Sequence, residues 1–155
     1  MLGRFLEISV RSADIPQSLA FYESLGFVQA IVSDSWSHPY AVVTDGRLHL
    51  GLHAREFESP TLTWVQPGLA AHVQQLRLLD IELTVERLGE DALHEVGFVD
   101  PSGQAITLLE ARTFSPPSLP PAHSSGLGYF EELAIATRDL GVASAFWESV
   151  GFVAF

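Results

Sequence analysis

Residues 5–28 read FLEISVRSADIPQSLAFYESLGFV, and residues 130–153 read FEELAIATRDLGVASAFWESVGFV. At a constant offset of 125, ten of the 24 paired positions are identical, Phe5/Phe130, Glu7/Glu132, Asp14/Asp139 and Gly26/Gly151 among them. Agreement of that density marks an internal repeat, so the chain is built from a recurring unit. In the first copy Leu6, Ile8 and Val10 alternate with Glu7, Ser9 and Arg11, the period of a strand with one apolar and one polar face. Asp14 stands at an N-cap position with Gln17 three residues on, and Pro16 fits the first helical turn. Ile15, Leu19, Tyr22 and Leu25 recur at helical spacing, and Gly26 supplies the left-handed residue that ends the helix.

Outward from this stretch, the pattern predicts strands over 28–33, 40–44 and 47–53. The loop SDSWSHPY separates the first two, and the hairpin dipeptide Asp45-Gly46 the last two. A second strand–helix–three-strand unit follows, with a strand at 61–65, a helix at 68–79 and strands at 81–86, 95–99 and 105–110. Trp64 is out of phase with Thr61 and Thr63 and belongs to the helix-facing core. Matching the hairpins DG-RLHLGLHAR and DPSG-QAITLLEAR sets Gly46 on Gly103, His53 on Glu110, and Ala54-Arg55 on Ala111-Arg112.

Residues 114–128 are rich in proline and serine and read as a linker. The chain thus divides into a domain over 1–113, holding modules 5–57 and 61–112, then the linker, then the start of a third module over 129–155. A lone strand and helix cannot bury their apolar faces. The third module is therefore expected to open a second domain of a longer protein, to be exchanged with a neighbouring chain, or to add an edge strand to this domain.

Composition narrows the function classes. With 155 residues, nearly half of them apolar, the chain can bury a real core. There is no cysteine, hence no disulfide framework and no thiolate chemistry, which suits a cytoplasmic protein. The net charge is −11, all eight basic residues are arginine, and such a chain repels phosphate backbones, which argues against nucleic acid as a partner. No apolar run approaches the roughly 20 residues needed to span a bilayer, and the N-terminus lacks the apolar core of a secretory signal. Nucleophile-elbow, phosphate-loop and dinucleotide-binding motifs are all missing.

The pattern D-[ILV]-x-x-[SA]-x-x-F-[YW]-x-x-x-G-F, met by Asp14 to Phe27, and DPSG followed by a strand ending in Glu110 resemble the vicinal oxygen chelate superfamily. That superfamily includes glyoxalase I, the bleomycin resistance proteins and the extradiol ring-cleavage dioxygenases. The resemblance covers Phe5 to Arg112 and the stretch from Phe130. It implies an α+β fold in which paired βαβββ modules form a curled mixed sheet, an open cup with the helices outside.

It also implies where a metal would sit. Ligands in metal-dependent members come from the first and last strand of each module, which here are Glu7 and Thr61, and His53 and Glu110. Glu7, His53 and Glu110 form the implied metal set, holding one divalent ion, with Glu110 also able to shuttle a proton. Glu7 stands where His is usual, and Thr61 is a poor ligand. In the loop, Trp36, His38 and Tyr40 suit a lid over a planar ligand. His49, Thr61 and Thr63 on the polar sheet face, and His94 near the implied rim, complete the candidate ligand-binding set.

His49 and His53 lie about 13 Å apart along a strand and cannot share one ion. His72 in the helix and His123 in the linker are read as bland. The expected partners are a small-molecule ligand and a second copy in a homodimer. Three functions follow: a metal-dependent enzyme of the lyase or dioxygenase kind, a metal-free protein that sequesters a drug or other small molecule, or a structural or regulatory domain of a larger protein.

Overall fold

The computed structural model describes residues 2–32, 36–90, 93–110 and 125–155. Their elements are β1 (Arg4–Arg11), α1 (Ile15–Ser24), β2 (Val28–Ala30), β3 (Tyr40–Thr44), β4 (His49–His53), β5 (Thr61–Val65), α2 (Leu69–Leu78), β6 (Val85–Arg87), β7 (Glu95–Val99), β8 (Ala105–Leu109) and α3 (Leu140–Ser149). The order is strand–helix–three strands, twice, and then a helix. The fold is α+β with mixed pairing, as expected. Residues 111–124, which take in Ala111-Arg112 and the linker up to 124, lie outside the described residues, as do 33–35 in the first loop.

The chain forms two compact units. The first comprises Leu6–Pro60 and the described residues 125–133, with strand order β2-β3-β4-β1. Here β1 runs parallel to β4, and β4–β3 and β3–β2 are antiparallel. Asp14 caps α1 by accepting the Gln17 amide at 3.0 Å, and Gly26 takes φ 87° where the helix ends. Helix α1 packs on β2, β3 and β4 through the half-buried Ile15, Leu19, Tyr22 and Leu25. Leu6, Ile8, Ala41, Val43, Leu50 and Leu52 are buried apolar residues on one face of this sheet. Alternation then leaves Glu7, Ser9, Tyr40, His49, Gly51 and His53 together on the opposite face.

The second unit comprises residues 2–5, 61–90, 93–110 and 134–155, with strand order β5-β8-β7-β6. Its apolar face carries Leu62, Trp64, Val96, Phe98, Ile106 and Leu108, all buried. Leu69, Val73 and Leu76 of α2 are buried in the same unit. Trp64 is in the core as expected, edge-on to Phe5 at 5.2 Å and to Phe152 at 6.1 Å.

Several boundaries differ from the sequence pattern. The strand expected at 81–86 shrinks to Val85–Arg87, and the one expected at 28–33 to Val28–Ala30. The third copy forms only half of what it repeats. Its helix α3 is present and capped by Asp139, which accepts the Val142 amide at 3.0 Å. Residues 129–136, the counterpart of β1, hold no strand and are mostly exposed. A helix closes its hydrogen bonds within itself, whereas a strand needs a neighbour's edge. The same sequence pattern therefore folds where the element is self-sufficient and stays unpaired where it is not.

Candidate functional site

The polar face of the first unit carries a buried hydrogen-bond network centred on Glu7, which is only 1% exposed. Ser9 donates to Glu7 Oε1 at 2.6 Å and Tyr40 to Oε2 at 2.6 Å. His53 Nε2 lies 2.7 Å from Oε1, and His53 Nδ1 lies 2.9 Å from His38 Nε2. A carboxylate buried this deeply is costly to desolvate, and three donors converging on it offset that cost. Because the carboxylate accepts, His53 carries its proton on Nε2. Its Nδ1 is then the acceptor for His38.

Register explains how these groups meet. Tyr40 is paired with His53 across β3–β4, and Ser9 with Gly51 across β1–β4. Gly51 sits under the carboxylate: a Cβ there would overlap Oε1, Cδ and Oε2 of Glu7. A mid-strand glycine marks such a close approach. Burial, followed by the charge and hydrogen bond of Glu7, drives the Tyr40 pKa far above its ordinary value, so the phenol is a permanent donor. Rings close around His53: Tyr40 at 4.5 Å, Trp36 at 5.1 Å and Phe57 at 5.7 Å between centroids. Arg55 lies over Trp36 at 4.8 Å and over Phe57 at 5.4 Å.

Four residues proposed from the sequence, Glu7, His53, His38 and Tyr40, are thus joined by hydrogen bonds, and Trp36 packs on three of them. His49 lies further along β4 on the same face; its buried Nε2 has no hydrogen-bond partner among the described residues. Burial lowers the His49 pKa against the opposing pull of Glu7 and Asp45. Ser9, Gly51, Arg55 and Phe57 were not singled out in the sequence. The alternation that marks Glu7 also marks Ser9, and Gly51 stands between two leucines of one strand; for Phe57 no signal existed.

The remaining candidates belong to the second unit. Thr61 Oγ1 is 2.9 Å from Thr107 Oγ1, and Thr63 is buried on the same face. Glu110 follows β8 and is paired with His94 Nδ1, while His94 Nε2 is 3.0 Å from the Gly89 carbonyl. Glu110 does not take the place that hairpin matching gave it. Thr44 pairs with His49 around a four-residue turn, 45–48, but Val99 pairs with Ala105 around five residues, 100–104. The extra residue slips the register by one and so exchanges faces. Arg11 pairs with His53 and Val65 with Leu109, so the counterpart of His53 is Leu109, and Glu110 is in phase with Ile106 and Leu108.

This bears on the divalent metal implied by the resemblance. Both Glu7 oxygens and both His53 nitrogens are turned into the network, and the matching positions in the second unit are a hydroxyl bonded to Thr107 and an aliphatic leucine. Among the described residues, no group of three or more His, Cys, Asp or Glu is placed to hold a metal ion. As placed among the described residues, Glu7, His53, Thr61 and Leu109 do not fit a divalent cation.

No protein-family model matches the sequence, and no curated protein matches it. Solved structures do. A catechol 2,3-dioxygenase superposes with a TM-score of 0.55 at 15% identity over 97% of this chain and 56% of its own, so the chain spans about half that enzyme's length. A structure described as an NAD-dependent benzaldehyde dehydrogenase from Legionella pneumophila gives 0.54 at 20% identity, over 66% of this chain and 96% of that one. A hypothetical protein from Bacillus halodurans C-125 gives 0.53 at 14%, over 72% and 96%. At these identities the likeness is one of fold, and the fold is the vicinal oxygen chelate fold. No helix among the described residues is long and apolar enough to cross a membrane.

Proposed function

We propose that this chain binds a small organic molecule on the polar face of its first unit and moves a proton on it through His38, His53 and Glu7. The observation that carries this reading is the buried Glu7–His53 bond of 2.7 Å continued to His38 at 2.9 Å. A carboxylate that fixes one ring nitrogen of a histidine prepares the other to exchange a proton. A proton taken from the ligand by the half-buried His38 passes from its Nε2 to His53 Nδ1 and rests as imidazolium against Glu7; delivery runs in reverse. Trp36, Tyr40 and Phe57 supply the apolar wall a small organic ligand needs, and the unsatisfied His49 Nε2 a second polar contact.

Lyase or dioxygenase chemistry on a resident metal finds no support in this donor set, whereas proton abstraction beside a carbonyl uses only groups the chain has. The test is a panel of small carbonyl compounds incubated in heavy water, with mass spectrometry reading deuterium uptake. Uptake by at least one compound, lost about 100-fold or more in Glu7→Gln and His53→Gln, supports the reading. Binding without uptake overturns it in favour of the sequestering protein.

A further inference from the structure

We infer that residues 132–138 pair, as an antiparallel ribbon, with the same residues of a second copy of this chain. The stretch has the sequence of a strand and forms none. Leu133, Ile135 and Thr137 alternate with Glu132, Ala134 and Ala136, and residues 132–137 repeat residues 7–12. At the earlier position the pattern lies in β1 and pairs with β4. At the later one, the main chain of 131–137 makes no hydrogen bond to another main-chain group among the described residues, and every residue but Ile135 is exposed. A strand-forming sequence with an open edge is a template for another chain.

The side chains choose the partner and its direction. Neither Glu132 nor Arg138 has an ion-pair partner among the described residues, whereas Arg47 holds the neighbouring Glu131 at 3.8 Å. Parallel pairing in register would set Glu132 beside its own copy, and like charges placed opposite each other repel. Antiparallel pairing about a two-fold axis at Ile135 instead sets Glu132 opposite Arg138 at both ends of the ribbon. Leu133 then faces Thr137, Ala134 faces Ala136, and Ile135 faces Ile135 of the second copy. Facing residues about such an axis share a phase, so the next allowed registers carry both charges out of opposition. One face of the ribbon becomes a stripe of leucine, isoleucine and threonine, a composition that suits a pleated surface. The contact is self-complementary and closes at two copies. A two-stranded ribbon this short is marginal by itself, so the dimer is expected to be weak and reversible.

The chain has no cysteine, so a single introduced thiol reports the pairing. Residues directly opposite in an antiparallel pair have Cα atoms about 4.5–5.5 Å apart, within the span of a disulfide. Ile135→Cys is therefore expected to oxidise to a covalent dimer. Ala134→Cys and Ala136→Cys should each stay monomeric alone and should link when mixed. In the Ile135→Cys background, Glu132→Arg or Arg138→Glu should slow cross-linking about tenfold, since each sets like charges opposite at two places. The double exchange should restore the rate, which a general loss of structure would not allow, and circular dichroism confirms that each variant is folded. Measurements near physiological ionic strength screen the general repulsion between two chains of −11. Cross-linking no faster at Ile135→Cys than at Ala134→Cys, no link between the mixed alanine variants, or no recovery in the double exchange overturns the inference.

Discussion

The carboxylate of Glu7 lies directly over Gly51, in the space a side chain at that position would fill. Glu7 is thereby held where Ser9, Tyr40 and His53 all reach it. Gly51→Ala should push the carboxylate aside and cost about 1–3 kcal/mol, the usual toll of overpacking a tight site. Chemical denaturation measures it. The loss should shrink markedly in a Glu7→Ala background, where the obstacle is gone, because residues in contact are non-additive. An equal loss in both backgrounds would mean that the methyl group meets something other than Glu7.

His49 gives the fold a specific acid sensitivity. Burial holds its pKa below the ordinary 6.5, with Glu7 and Asp45 pulling the other way. The unfolded chain therefore takes up this proton more readily than the folded one, and above 6.5 neither state holds it. Stability must fall as pH drops below 6.5, and level off once the folded-state pKa is passed. His72, also lowered by burial, adds a slope of the same sign. Unfolding free energies of the wild type and His49→Gln, compared from pH 7.5 to pH 5, should converge toward acid. Parallel curves would show that His49 titrates alike in both states.

Metal content follows from the slipped register. With Leu109 at the counterpart of His53, and Glu110 engaged by His94, the carboxylate in phase with Thr61 among the described residues of the second unit is Glu95, which Arg87 holds in an ion pair at 3.3 Å. Protein purified without chelators should carry well under one divalent ion per chain by elemental analysis. Added manganese, nickel or zinc should leave the melting temperature unchanged. A rise that disappears in His53→Gln would show that the network opens to admit a cation, since a ligand binding only the folded state must raise the midpoint.

What the sequence reveals and what it hides divide along the same line. The caps at Asp14 and Asp139, the strand Thr61–Val65 and the polar phase of Glu7 and His53 are set by local rules, and each is legible in one copy of the repeat. Whether Glu110 faces with His53 depends on one extra residue in a turn, a difference that a glycine-to-glycine match conceals. The failure of 129–136 to become a strand depends on an edge that no local pattern encodes. Arg55 and Phe57 reach the site from the segment after β4, where there is no periodicity to place them. Local chemistry could be read; register and contacts between segments could not.

The turn aspartates make a final case. Asp45 accepts the Arg47 and Leu48 amides on Oδ1, and its Oδ2 accepts the Phe130 amide at 2.8 Å. In the other unit Asp100 accepts the Ser102 and Gln104 amides on Oδ1, and its Oδ2 accepts Trp147 Nε1 at 3.1 Å. Each turn thus uses one oxygen for itself and one for the C-terminal segment. Burial pushes the Asp45 pKa up, but the amides of Leu48, Arg47 and Phe130 together hold it below the ordinary value. Its contribution is therefore present above pH 3.8 and is lost as pH falls through the lowered folded-state value. Asp45→Asn keeps an oxygen for the turn but turns an NH2 group toward the Phe130 N–H. The substitution should cost about 1–3 kcal/mol, the worth of a hydrogen bond to a charged group. Amide exchange should quicken at Phe130 while Arg47 and Leu48 keep their protection. Equal acceleration at all three amides would show that the turn, and not the anchor, had been lost.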